Sequence, residues 1–181
     1  MIETEAPGKL RPDDARLEIW RSFLTAHARL FRRLDDELRS EHDLSLPEYD
    51  ALLQLARAPE RRLRMSRLAA RVLLSKSGVT RLIDRLERDG FVERTQCSHD
   101  ARGAEAVLTA AGLARLRVAA TTHLAGVERY FLAPLGAAEL SALERSMITV
   151  LRAVGDLAEP DAACEPAARG QTSERAGTQS P

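Results

Sequence analysis

Ser77, Thr80, Arg81, Arg85 and Arg88 fall on one side of the stretch SKSGVTRLIDRLERDGFVERTQCSHDAR, residues 75–102. Hydroxyl and guanidinium groups spaced in this way make a helix face that can donate hydrogen bonds to phosphates and to base edges. The opposite side holds Val79, Leu82, Ile83 and Leu86 at the i, i+3, i+4, i+7 spacing of a buried helical stripe. One face fastens the helix to a core and the other can enter a groove. Any surface helix of a soluble protein has a charged side, so the local balance is what distinguishes this one. Residues 61–102 contain eleven Lys or Arg against five Asp or Glu, a surplus of six in a chain whose formal charge is zero. Segregated charge of this kind marks a protein with one nucleic-acid-facing side.

Other chemistries find little support. The 181 residues contain no glycine-rich phosphate loop, nucleophile elbow or carboxylate pair at catalytic spacing, so the chain does not read as an enzyme. Cys97 and Cys164 are far apart with no second Cys or His at zinc-ligand spacing, and His27, His42, His99 and His123 are scattered. No metal or other cofactor is expected. No apolar run reaches membrane-spanning length and no charged-then-apolar leader is present, which makes a cytoplasmic protein the expectation. A structural disulfide is not expected there. Cys97 reads as a small residue packed under a strand end, with a redox role as the alternative.

The elements that would position these residues are mostly helical. Aromatic residues are 4% of the chain, and Ala, Leu and Arg fill the periodic stretches, which favours a mainly α fold. Residues 1–12, with Pro7, Gly8 and Pro12, read as a flexible arm. A long helix follows from Asp13 or Asp14, with Trp20, Phe23, His27, Phe31, Leu34 and Leu38 in its apolar stripe, and breaks near residues 42–45. Ser45 caps a second helix with Pro47 in its first turn, and Pro59 ends it. A short strand around Leu63 leads to Ser66 as the N-cap of a third helix. Leu73 and Leu74 then form a turn, and Ser75 caps the helix described first, giving a helix-turn-helix. Gly90 ends that helix, and strands at 91–95 and 104–108 flank a turn at 98–103. Thr109 caps a long helix through Phe131, and a last helix carries Leu140, Leu143, Met147, Leu151 and Val154. Residues 158–181 have no aliphatic periodicity and should be disordered.

This order of helix, helix, helix-turn-helix, hairpin, helix, helix resembles the MarR family of bacterial winged-helix transcription regulators over residues 13–157. The resemblance rests on SLPEYDALLQLARAP at 45–59, MSRLAARVLLSKSGVTRLIDRLERDGFVER at 65–94 and HDARGAEAVLTAAG at 99–112. Its most specific signature is Asp100 and Arg102 followed by Leu108, Thr109 and Gly112. It implies a winged helix-turn-helix DNA-binding lobe at about residues 46–111 and dimerisation helices at about 13–41 and 110–157. The implied function is that of a sequence-specific, ligand-responsive homodimeric repressor on a pseudo-palindromic double-stranded operator. By the family pattern Ser75, Ser77, Thr80 and Arg81 enter the major groove and Arg85 reaches phosphate. Ser66, with the helix start it caps, binds a phosphate, while Arg64 and Arg67 add charge nearby. Arg102 enters the minor groove, braced by Asp100.

Trp20, Phe23, Phe31, Leu140, Leu143, Met147 and Leu151 supply more apolar length than a small winged core can cover, which independently supports a homodimer. A six-helix monomer is the alternative. Family members also bind small aromatic or phenolic effectors between the dimer helices and the DNA-binding lobe, and Trp20, His27 and Tyr49 are candidate lining residues here, although their spacing suits a plain core as well. The chain departs from the family at Ala101, where many relatives have a second basic residue, and carries Glu105 close by. Both features weaken the expected wing contact. Arg85 or Arg88 can instead pair with Asp84, Glu87 or Asp89 along the helix. A helical protein-interaction adaptor built on a winged-helix scaffold is the rival function.

Overall fold

The computed structural model describes residues 11–72, 76–97 and 100–155, with side chains described throughout these except at 76, 97 and 100–103. Six helices and a three-stranded sheet follow the order α1 (Arg16–His42), α2 (Leu46–Arg57), β1 (Arg62–Arg64), α3 (Met65–Arg71), α4 (Lys76–Arg88), β2 (Val92–Cys97), β3 (Asp100–Leu108), α5 (Ala110–Val127) and α6 (Ala137–Val154). A 3-10 turn at Pro59–Arg61 precedes β1, and a π turn at Glu128–Leu132 continues α5. The expected mainly α winged helix is the observed class. The arm at 1–10, the turn residues Leu73 and Leu74, Ser75, His99 and the tail with Cys164 lie outside the described residues.

Several boundaries follow from identifiable local chemistry. Asp14 Oδ1 accepts a hydrogen bond from the Arg16 backbone N–H at 2.9 Å, so α1 opens at Arg16, slightly later than its periodicity suggested. Ser45 and Glu48 form a reciprocal capping box that starts α2, with Pro47 in the first turn where its missing N–H costs nothing. Thr109 caps α5 as expected, its Oγ1 accepting from the Gly112 N–H at 2.9 Å. Ser66 requires a correction. Helix α3 begins at Met65 with Arg64 in the cap position, so Ser66 is already inside the first turn and caps nothing. The preceding strand explains this, because Leu63 and Arg64 are held in the sheet and the chain turns helical directly from its edge.

The sheet is antiparallel in the order β1-β3-β2, with Leu63 opposite Ala106 and Thr95 opposite Glu105. The second wing strand starts at Asp100 rather than at 104, within the span 98–103 expected to be a turn. Gln96 pairs with Ala104 while Cys97 pairs with Asp100, so residues 101–103 have no opposite number and form a bulge.

Leu52, Leu55, Leu68, Ile83, Leu86 and Val92 lie at the centre of one core that joins α2, α3, α4 and the sheet. Each such side chain contributes about 1.5–3 kcal/mol when fully buried. Leu38 of α1 and Leu116 of α5 extend this core toward the long helices. Gly112 makes that junction possible, because a Cβ there would sit 2.1 Å from the Phe91 carbonyl oxygen. By contrast α1 buries only Leu34 and Leu38, and α6 buries no residue. Among the described residues no helix is long and apolar enough to cross a membrane, and no cluster of metal-ligating side chains occurs.

Candidate nucleic-acid interface

Helix α4 divides its faces as its sequence requires: Val79, Leu82, Ile83 and Leu86 are buried, while Ser77, Thr80, Arg81, Asp84, Arg85 and Arg88 are exposed. Its C-terminus closes with the Phe91 N–H donating to the Leu86 carbonyl at 2.8 Å and the Gly90 N–H to Glu87 at 3.0 Å. Gly90 has φ of 75°, the left-handed conformation that this closure needs. The polypeptide is thereby turned directly from α4 into the wing.

Arg94, on β2, was not singled out by its strand context, yet it ties the wing to α4. Its Nη2 donates to the Thr80 carbonyl at 3.0 Å and to Asp84 Oδ1 at 2.5 Å, and its Nε lies 3.6 Å from Glu87 Oε2. Asp84 and Glu87 thus face an arginine on the wing, not Arg85 or Arg88 along their own helix. Arg85 in turn has a partner in another element. Its Nε is 3.0 Å from Glu48 Oε1 at the start of α2, with 51% of the Arg85 side chain exposed against 5% of that of Glu48.

Arg64 and Arg67 flank Ser66 at the start of α3, all three being partly buried. Ser75 lies outside the described residues, as do the side chains of Asp100 and Arg102. The backbone nevertheless puts Asp100 at the start of β3 and Arg102 within the bulge beyond the last regular pair of the wing. Glu105, expected to weaken the wing, is buried in the sheet with its carboxylate 3.8 Å from Arg62 Nη1. Its charge has a neighbour within the protein and is turned away from solvent.

The residues expected at a dimer interface share exposure on the long helices. Trp20, Phe23, Phe31 and Leu151 are exposed, and Leu140, Leu143 and Met147 are only partly covered. On α1 the rings of Trp20, Phe23, His27 and Phe31 form a ladder with successive centroids 5.9, 6.3 and 6.1 Å apart. The suggested pocket is not assembled within one chain. Trp20 and His27 belong to this open ladder, whereas Tyr49 is buried in the winged core with its ring 4.5 Å from that of His123. Burial raises the pKa of the Tyr49 hydroxyl and lowers that of His123, in each case disfavouring the charged form.

Residues 42–103 match the model of the MarR family. Among solved structures, Sco3205, a MarR family transcriptional regulator from Streptomyces coelicolor crystallised in complex with DNA, is 31% identical with a TM-score of 0.73. The alignment covers 80% of this chain and 94% of that one. AbsC, a MarR family transcriptional regulator from the same organism, has the same identity and TM-score, with 80% of this chain and 97% of that chain covered. The HTH-type transcriptional repressor YetL of Bacillus subtilis (strain 168) is 40% identical over 73 residues, 40% of this chain and 44% of YetL, so the match spans less than half of that relative. These relatives are transcriptional regulators. With α4 set against the wing, apolar side chains of α1 and α6 left exposed and two such structures matched over nearly their whole length, the chain belongs to the MarR family.

Proposed function

We propose that this chain is a cytoplasmic, homodimeric transcriptional regulator that binds a pseudo-palindromic double-stranded operator and acts as a ligand-responsive repressor. The observation that carries this reading is the exposed face of α4, which presents Ser77, Thr80 and Arg81 while its opposite face is sealed into the core. Arg81 reads guanine in the major groove and Thr80 and Ser77 contact bases or phosphates. Arg64, Ser66 and Ser75 lie toward the backbone of the duplex, and Asp100 and Arg102 serve the wing contact in the minor groove. The chain has no catalytic role in this reading.

The second copy covers the aromatic ladder of α1 and the apolar side of α6. Dimerisation through these helices holds two α4 helices for half-sites about one helical turn apart, roughly 10 base pairs. A small aromatic or phenolic effector would act from between the long helices and the winged lobe, with Trp20 and His27 of the ladder as candidate contacts. Light scattering of the protein alone and a gel shift on DNA flanking its own gene test the reading together. A dimer that retards this DNA in a competitor-resistant complex is expected. A monomer at micromolar concentration in the presence and absence of duplex would refute it.

A further inference from the structure

Glu48 does more than a capping residue requires. A capping box needs one side-chain oxygen at N3 to accept from the N-cap, a role that glutamine fills as well. Here Oε2 alone performs it, accepting from the Ser45 N–H at 2.8 Å and the Ser45 hydroxyl at 2.6 Å. Oε1 is buried and forms an ion pair with Arg85, whose Nε lies 3.0 Å away. A carboxylate removed from water is costly unless an opposite charge compensates it. Arg85 is the direct ion-pair partner of this buried carboxylate, and Arg39 of α1 adds a second positive charge within electrostatic reach of it.

The pair also lies in a useful position. Asp35 on α1 accepts from the Leu46 N–H at 2.7 Å and from Arg39 Nε at 2.6 Å, which holds the start of α2 to α1. Ser45 and Glu48 occupy that same turn, and Arg85 connects it to the last turn of α4. Polar contacts thus run continuously from the long helix to the helix whose exposed face carries Arg81. Arg81 and Arg85 are one turn apart on α4, so a shift of Arg85 rotates or translates Arg81 with it.

We infer that Glu48 and Arg85 are a positioning pair that sets α4 against α2, so that Arg85 serves sequence discrimination through the placement of Arg81 and not through neutralising a phosphate. This rests on the DNA-binding reading above. The pairing competes with the phosphate role expected for Arg85, since a guanidinium held at Nε by a carboxylate of α2 is less free to follow a phosphate.

The test compares wild type, Glu48→Gln, Arg85→Gln and the double variant. Glu48→Gln retains the cap, so the fold is expected to persist, and thermal unfolding of each protein checks it. Affinities are measured for the operator and a scrambled duplex across a salt series, and amide exchange of α2 and α4 is followed without DNA. Each single variant should lower the operator-to-scrambled ratio about five- to tenfold, with the double variant no worse than either, as for residues coupled by direct contact. The salt slope should be unchanged in Arg85→Gln, and exchange in α4 should accelerate in all three variants. Equal weakening on both duplexes with a slope lower by about one, as for a lost phosphate contact, would overturn the inference. So would additive effects of the two substitutions. If wild type bound no duplex, the DNA reading and the discrimination role would fall together, while non-additive exchange rates would still register the contact itself.

Discussion

The rings of Tyr49 and His123 lie 4.5 Å apart at an interplanar angle of 35°, one on α2, the first helix of the winged lobe, and the other on the long helix α5. This is a contact between the winged lobe and the long C-terminal helix that follows it. Burial lowers the pKa of His123 from its ordinary value of 6.5, so folding favours the neutral ring. The unfolded chain binds the proton more readily, and stability is therefore undiminished above pH 6.5 and declines as pH falls from there through the lower folded value. His123→Phe should remove this part of the acid loss. Urea unfolding between neutral and mildly acidic pH checks it, and equal acid loss in both proteins would exclude His123 as its source.

Gly112→Ala should destabilise the protein by about 1–3 kcal/mol or more, the range for overpacking against atoms that cannot yield. The obstruction is backbone, because the added Cβ would meet the Phe91 carbonyl oxygen at 2.1 Å. The denaturation midpoint reads the effect directly, and a wild-type midpoint would mean that the corner between α4 and α5 relaxes without strain.

Arg81→Ala should cost about 1–3 kcal/mol of operator binding and relax base preference at one position of each half-site. Binding to a panel of singly substituted operators is the measurement. Uniform weakening across the panel would reassign Arg81 to the phosphate backbone.

Arg102→Ala should weaken binding most on operators with A·T-rich flanks, where the minor groove is narrow and most negative, and should lower the salt slope by about one. Asp100→Ala should reproduce part of that loss, and Ala101→Arg should tighten binding with little change in central base preference. Salt titrations on A·T-rich and G·C-rich flanks separate these effects. Wild-type affinity and slope for Arg102→Ala on both duplexes would take the wing off the DNA.

Features set by periodicity or by a neighbour within a few residues were legible in the sequence. The buried stripe of α4, the Ser45 and Thr109 caps and the Gly90 terminus are of this kind. The assignment of Ser66 as a cap failed because a short strand competes for the residues before it, and sheet pairing is not encoded next to the serine. The turn expected at 98–103 reaches past Asp100 for a related reason, since Asp100 is a common turn residue and here opens a strand whose next residues are bulged. The spacing of Ser45 and Glu48 is that of a capping box, a local signal of the same kind. The contact of Glu48 with Arg85 was not readable at all, because it joins two helices far apart in the chain and depends on how they cross. Arg94 is the same case, with a strand residue defined by two acids on a helix.

Helix α6 has 18 residues and buries none of them against its own chain. In proteins most helical stability comes from packing an amphipathic face, so in the proposed dimer the order of α6 is supplied by the second copy and depends on protomer concentration. Dilution would then return α6 to coil before the winged lobe loses its core, and unassembled chains would present an unfolded apolar segment to cellular proteases. Turnover would fall hardest on unpartnered subunits, so the amount of active regulator would rise more steeply than its synthesis.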